Sequence, residues 1–296
     1  MSSPVVTTPT FQLFEPLEQI TIFTPLGIRF WDAALDRQVT DGLVVTARRP
    51  GSNQRPVRAF RTRSGIYAFR GLPGLRAIEY PVDDADRLGG SPPALTGFFV
   101  EVVDEERRFV PTVFTVDVPF EGIYPTGSSD PMAPPGVYLF SAPTRPVASS
   151  LAVVRAQLAE RPAGGEEQPA AFALLEVEVA GRPPAFGIAD ELGNVAVQFP
   201  YPRFSTALPN GSPPASADGS ASQRWPIRVR VRFDPPALDV PIGSSIPTLR
   251  SIFSQRPGAI QAGSGPAPEF ATELAAGRQV VLRHSPGSTF VISRAI

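Results

Sequence analysis

Residues 227–233 alternate without a break: Ile227, Val229, Val231 and Phe233 are apolar, and Arg228, Arg230 and Arg232 stand between them. A period of two over this length predicts a strand with one buried and one wetted face. The same pattern returns at residues 113–118, where Phe114, Val116 and Val118 alternate with Thr115 and Asp117. Residues 20–23, 28–31 and 98–103 predict further strands, and residues 36–42 and 104–107 predict polar turns. Residues 150–158 are open between two readings: Leu151, Val153 and Val154 suit a strand, whereas residues 156–160 suit a helix. Leu249, Ile252 and Phe253 fall at i, i+3 and i+4, with Ser245 as a cap and Pro247 near the first turn, which predicts a short helix. Residues 279–283 and 289–292 predict a terminal hairpin around Ser285-Pro286-Gly287-Ser288.

One phrase of strand and turn occurs twice. Leu43-Val44-Val45-Thr46-Ala47 runs into Arg48-Arg49-Pro50, then Ala59-Phe60, then Gly65-Ile66-Tyr67-Ala68-Phe69. In the second half, Leu174-Leu175-Glu176-Val177-Glu178-Val179 runs into Arg182-Pro183, then Ala185-Phe186, then Gly193-Asn194-Val195-Ala196-Val197-Gln198-Phe199. The repeat predicts two halves of equivalent strand order. The strands built on Val45 and Val177 should correspond, as should those on Phe69 and Val197.

At 296 residues the chain accommodates about two domains of about 150 residues each. With 36 Pro and 25 Gly, it favours many short strands joined by turns over long helices. Residues 1–16 read as an extended arm punctuated by Pro4, Pro9 and Pro16. It is either a frayed terminus or a segment laid on a neighbour, for which Val5, Val6, Phe11, Leu13 and Phe14 supply apolar contacts. The first domain is expected over 17–122, a Pro-rich semi-rigid linker over 123–135 and the second domain over 136–236. A C-terminal extension covers 237–296. Residues 83–93, 161–169 and 209–223 read as surface loops.

Charge and chemistry narrow the function. The net charge of −1 provides no global field for a polyanion, so nucleic acid is not an expected partner. All 27 basic residues besides the single His are Arg. Without Cys there is neither a disulfide framework nor a thiolate metal site. Met1-Ser2-Ser3-Pro4 lacks a basic n-region and an apolar core, and no apolar run reaches about 18 residues, so neither a secretory signal nor membrane insertion is expected. His284 stands alone beside a Pro-Gly turn and lacks the companions of a nucleophilic triad. Asp83-Asp84-Ala85-Asp86 lacks the Gly and terminal Glu of a calcium loop. Pro73 within Gly71-Leu72-Pro73-Gly74 removes a donor that a phosphate cradle needs. Glu105-Glu106 and Glu166-Glu167 sit in turns. No catalytic residue, metal site or cofactor is therefore expected. Arg228, Arg230 and Arg232 share a face and form either a solvated row or a contact for an acidic neighbour.

Gly65-Ile66-Tyr67-Ala68-Phe69-Arg70-Gly71-Leu72-Pro73-Gly74 resembles the G-x-Y-x-F-x-x-L-P-x-G signature of carboxypeptidase regulatory-like domains, with Leu75 where the family's last Gly falls. Trp31-Asp32-Ala33-Ala34 followed by Val39-Thr40-Asp41-Gly42-Leu43-Val44-Val45 resembles that family's opening strand, turn and second strand. The resemblance implies a transthyretin-like β-sandwich. Residues 188–195 keep a degenerate form of the signature, without the Tyr and the Leu-Pro turn. The expected fold is all-β, with two tandem immunoglobulin-like or transthyretin-like β-sandwiches and a small C-terminal helix-plus-hairpin extension. The whole chain, including residues 223–229 and 280–283, resembles uncharacterised proteins encoded beside phage-tail-like contractile injection systems. That implies a non-enzymatic baseplate or tail-end subunit whose partners are other protein subunits. It would be assembled in the cytoplasm, with release in an extracellular particle as a further option. The alternative is a pair of carbohydrate- or cell-surface-binding modules using Trp31, Trp225, Tyr124 and Tyr201.

Overall fold

The computed structural model describes residues 22–80, 94–120, 122–125, 135–162, 165–179, 181–202, 223–262, 265–284 and 287–294. Strands hold 47% of the chain and helices 5%, which places it in the all-β class. Residues 1–21, 81–93 and 203–222 lie outside the described residues, and with them the arm (Val5, Val6, Phe11 and Phe14), the Asp83–Asp86 cluster and most of the 209–223 loop.

In the first sandwich, β1 (Leu26–Ile28) and β2 (Phe30–Asp32) run end to end, interrupted at Arg29. β7 (Tyr67–Phe69) pairs antiparallel with β1. β10 (Ile123–Tyr124) and β11 (Val137–Leu139) pair parallel with β1 and β2. β3 (Arg37–Val39) folds back on β2, and β6 (Phe60–Arg61) pairs with β7. The facing sheet has the order β5 (Val57–Arg58), β4 (Leu43–Arg48), β8 (Thr96–Asp104), β9 (Thr112–Val118). Phe30, Phe69 and Phe98 are fully buried between the two layers.

The second sandwich repeats this pairing scheme. β12 (Leu151–Glu160) stands for β1 and β2, antiparallel to β16 (Asn194–Pro200) and parallel to β21 (Val280–Leu282) and β22 (Phe290–Ser293). β13 (Gln168–Pro169) folds back on its end as β3 does. The facing sheet runs β15 (Ala185–Ile188), β14 (Leu174–Val179), β17 (Arg224–Arg232), β20 (Phe270–Ala275), the counterpart of β5-β4-β8-β9. The strands on Val45 and Val177 are thus equivalent, and so are those on Phe69 and Val197. A hairpin of β18 (Ala259–Ala262) and β19 (Gly265–Ala267), attached to β22, has no counterpart in the first sandwich.

The glycine that opens the third strand of each repeated phrase has the same role. Gly65 and Gly193 both have positive φ, +74° and +78°. A side chain on Gly193 would drive into the Leu158 carbonyl, whose own N–H donates to Gly193 O at 2.7 Å. The ambiguous stretch resolves as strand over Leu151–Glu160. Ala152, Val154, Ala156 and Leu158 enter the core, while Leu151 and Val153 lie under residues 147–149. Burial on both faces overrides the helical preference of the Ala-Glu stretch.

Three expectations are corrected. Residues 123–135 do not run between the sandwiches. Ile123–Tyr124 is itself β10, and β10 and β11 lie one after the other along the opening strand pair of the first sandwich. Residues 237–296 are not an appendage, because β20, β21 and β22 complete both sheets of the second sandwich. Residues 279–283 and 289–292 contribute strands but no hairpin: β21 and β22 run in one direction along β12. Of the short helices α1 (Arg76–Glu79) and α2 (Leu249–Phe253), α2 forms as expected, capped by Thr248 rather than Ser245; Thr248 Oγ1 accepts the Ser251 N–H at 3.4 Å.

Candidate functional site

The segment between β11 and β12, residues 140–150, joins the sandwiches, and Arg145 fixes it to both. Its guanidinium donates to Asp32 through Nη1–Oδ1 at 3.1 Å and Nη2–Oδ2 at 2.6 Å, and to Ser141 Oγ at 3.1 Å. It also lies 4.9 Å from the centre of the Phe109 ring. The Arg145 and Asp32 side chains are 8% and 2% exposed, so the pair is desolvated. The Asp32 turn supplies two more donors to the carboxylate, the Ala34 and Leu35 N–H groups, at 2.9 and 3.1 Å. The Arg145 carbonyl faces the other way and accepts from Gln198 Nε2 and Arg155 Nη2 of the second sandwich, both at 3.3 Å. Arg155 Nη1 also donates to Pro143 O. A single residue of the connector is thereby bonded to one sandwich by its side chain and to the other by its backbone.

A second tie comes from residues 235–254. Their base is closed where Asp234 N–H donates to Gln255 Oε1 and Arg256 Nε donates to Asp234 Oδ2, at 2.9 and 2.7 Å. That ion pair draws the Asp234 carboxyl below the ordinary carboxylate range. From this base the segment crosses to the first sandwich. Thr248 bridges Val113 of β9, and Leu249 packs against both the first core and the seam. The seam itself is apolar: Val110, Phe140 and Ala142 meet Leu174, Ile188 and Ile252. Phe253 of α2 stands 5.5 Å from both Phe140 and Phe186, ring centre to ring centre. Domain pairs move relative to one another unless their interface is large and apolar. Here the apolar seam, the buried ion pair and the crossing segment act together to hold one orientation.

Beside the seam opens a cleft of about 520 Å³. Tyr138 forms one wall with Ala33 and Ala34, and Phe186, Phe199 and Phe253 form the others. Arg182 sits at the rim, its Nη1 held by the Pro200 and Tyr201 carbonyls at 2.5 and 3.0 Å. Gln198 also lines the cleft. It is 4% exposed, and its Oε1 has no hydrogen-bond partner among the described residues.

The arginine row is where the alternation placed it, on the outer face of β17, but its charge is compensated within the sheet. Arg230 lies 3.6 Å from Glu176, 3.0 Å from Glu178 and 3.3 Å from Glu269, and Arg232 lies 3.8 Å from Glu176. Arg228 is register partner to Glu178 and exposed. The signal for this ladder was in the chain: Glu176-Val177-Glu178 alternates in the strand that pairs with Arg-Val-Arg. Each such exposed pair contributes at most about 1 kcal/mol.

Of the four aromatic residues of the carbohydrate-binding alternative, three pack on other rings and Trp31 is half-buried. Trp31 Nε1 donates to Asp36 at 2.9 Å. Tyr124 stacks on Phe114 at 5.7 Å. Trp225 and Tyr201 pack at 5.7 Å, and Tyr201 Oη accepts the Gly277 N–H. His284 is half-buried after β21, its backbone N–H bonded to Thr289 O. Nearby, Thr289 Oγ1 and Arg161 donate to Glu167 and draw its carboxyl below the ordinary range. Glu105 and Glu106 sit in a turn, facing Arg58 and Arg108. The Gly71-Leu72 N–H groups are used internally, donating to the buried Glu79 carboxylate at 2.6 and 3.3 Å. Among the described residues no group of three or more His, Asp or Glu side chains converges on a metal-sized site.

No protein-family model matches the chain, and no curated protein matches it. Among solved structures it is similar to the Bacillus anthracis TIE protein, at 11% identity over 86% of this chain and 32% of that one, with a TM-score of 0.22. It is also similar to a C-terminal fragment of the pilus adhesin SpaC from Lactobacillus rhamnosus GG, at 9% identity over 92% of this chain and 99% of that one, with a TM-score of 0.20. The chain spans about a third of the length of the first of these.

Proposed function

We propose that this chain is a non-enzymatic structural subunit that works through protein–protein contacts, as a baseplate or tail-end component of a phage-tail-like contractile injection particle assembled in the cytoplasm. The observation that carries the structural role is the double attachment of Arg145. It turns two repeats of one sandwich into a single stiff element, which suits a part that sets distance and orientation between neighbours. The particle assignment rests on the whole-chain sequence resemblance. The arm, with Val5, Val6, Phe11 and Phe14, is the proposed contact to a neighbour, and addition of a segment from another chain is a known way to join β-domains. The compensated Arg228, Arg230 and Arg232 face takes the lesser part, as a polar rim setting register.

The test is recovery of the tagged protein from its native cells. Co-sedimentation with sheath and tube subunits in a particle fraction is the expected result. Deletion of residues 1–14 should leave the sandwiches folded by circular dichroism and reduce incorporation. Recovery of the wild-type protein only as a free monomer would overturn the proposal. Replacing the three arginines with Glu is a poor test, because it sets three carboxylates against Glu176, Glu178 and Glu269 and destabilises the sheet itself.

A further inference from the structure

We infer that the cleft beside the seam is the receptor for the arm of a neighbouring copy of this chain, with residues 11–15, Phe-Gln-Leu-Phe-Glu, as its occupant. The inference rests on the assembly reading above and names the site and the segment that would carry it.

The cleft has the character of a binding site. It lies between two sandwiches, has a volume of about 520 Å³ and is walled by aromatic side chains with few polar groups. Gln198 and Asp36 are already engaged, Gln198 Nε2 donating to the Arg145 carbonyl and Asp36 accepting from Trp31 Nε1, whereas Arg182 has donors to spare. Arg182 uses only Nη1 on the Pro200 and Tyr201 carbonyls, so the guanidinium is held in place while its other donors have no partner among the described residues. A matching ligand brings flat apolar side chains and a carboxylate at the rim.

Residues 11–15 bring those groups in that order. Phe11, Leu13 and Phe14 supply the apolar surface, and Glu15 the carboxylate. Residues 1–28 contain Glu15 and Glu18 and no Arg or Lys, so the arm carries the sign that Arg182 attracts. Its reach is sufficient: each extended residue spans about 3.3 Å, so Phe14 can stand about 30 Å from Phe23. The arm's own sandwich is the less suitable receptor. Phe23 N–H is fixed to Glu79 O beyond the start of β1, whereas the cleft begins at Ala33, past the end of β2. Both flanks of β1 are already taken, by β7 and β10, so the arm cannot run back as a strand added beside β1.

The experiment uses the purified full-length chain and reads its mass by sedimentation velocity across a range of concentrations. The wild type should self-associate with rising concentration. Phe11→Ser with Phe14→Ser, and separately Arg182→Glu, should each weaken association about tenfold or more while leaving the circular dichroism spectrum and melting temperature in place. Arg182→Glu combined with Glu15→Arg should restore it. A fluorescent peptide of residues 8–18 should bind the Phe11→Ser, Phe14→Ser protein, whose clefts are vacant, and bind the Arg182→Glu protein less well. A wild type that is monomeric throughout, association indifferent to these changes, or peptide binding indifferent to Arg182 overturns the inference. These outcomes are separable from particle incorporation in cells, which can succeed through other subunits even if self-association fails.

Discussion

Asp32→Ala is the most informative single substitution, because Asp32 is where the connector is fixed to the first sandwich. The change removes the acceptor for two bonds from Arg145 and for the Ala34 and Leu35 N–H groups. The guanidinium is left with Ser141 Oγ and the Phe109 face, in a site where its side chain is 8% exposed. An orphaned buried charge of this kind costs about 3–5 kcal/mol. Replacing both partners costs far less, since a buried pair exchanged as a unit for uncharged groups is often close to neutral. Asp32→Asn with Arg145→Met should therefore be more stable than the sum of the single changes by about 2 kcal/mol. Urea unfolding followed by tryptophan fluorescence resolves the consequence by sandwich, because Trp31 lies in the first and Trp225 in the second. In Trp31→Phe and Trp225→Phe backgrounds the two transitions should coincide for the otherwise native chain. Asp32→Ala should lower the Trp31 transition and separate it from the Trp225 transition, so that a single two-state analysis no longer applies. A shift under about 1 kcal/mol, with transitions still coincident, would show that the apolar seam alone couples the sandwiches and that the Arg145 attachment is incidental.

Three further outcomes are expected. Gly193→Ala should destabilise the second sandwich by about 2 kcal/mol or more, since the residue has φ of +78° and its side chain would strike the Leu158 carbonyl; a neutral effect in urea melts would refute the shared role assigned to Gly65 and Gly193. Arg230→Glu should cost about 1 kcal/mol by facing Glu176, Glu178 and Glu269, and part of that loss should be recovered in high salt; salt independence would count against the ladder. The Asp234 carboxyl is held low by its hydrogen bond from Arg256, so its contribution is full at neutral pH, above the ordinary Asp value of about 3.9, and is lost as pH falls through the lower folded value. Stability should drop on acidification and drop less in Arg256→Gln; equal acid sensitivity in the two proteins would remove the pair from the account.

The elements that local pattern controls were legible in the chain. Strict alternation placed β9 and β17, and the repeated phrase gave the equivalence of the two halves because its glycines answer to backbone geometry rather than to packing partners. Residues 123–135 and 279–292 misled because Pro and Gly mark that a chain turns, not where it goes next. In both places the two flanking strands, β10 and β11 or β21 and β22, pair parallel along one line of strand, and that parallel neighbour is more than 90 residues away in sequence, as Trp31 is from Tyr138. The site was less legible still. Asp32 and Arg145 are separated by 113 residues, and no motif in the chain contains both. Asp32 reads as an ordinary turn aspartate and Arg145 as one of 27 arginines in a chain that uses no lysine.

The differences between the two copies carry more functional information than their likeness. In the first sandwich, β8 passes to β9 through a short charged turn at residues 105–111. The equivalent step in the second sandwich, from β17 to β20, takes residues 233–269, and these build the segment that crosses the seam, α2 and the β18–β19 hairpin. A repeat by itself yields two beads with a free joint. Here the added length in one copy reaches the other copy, brings Phe253 between Phe140 and Phe186, and forms a wall of the cleft in the same step. Stiffening and cleft formation share one physical origin, so a variant that loosens α2 should weaken the coupling between sandwiches and the occupancy of the cleft together.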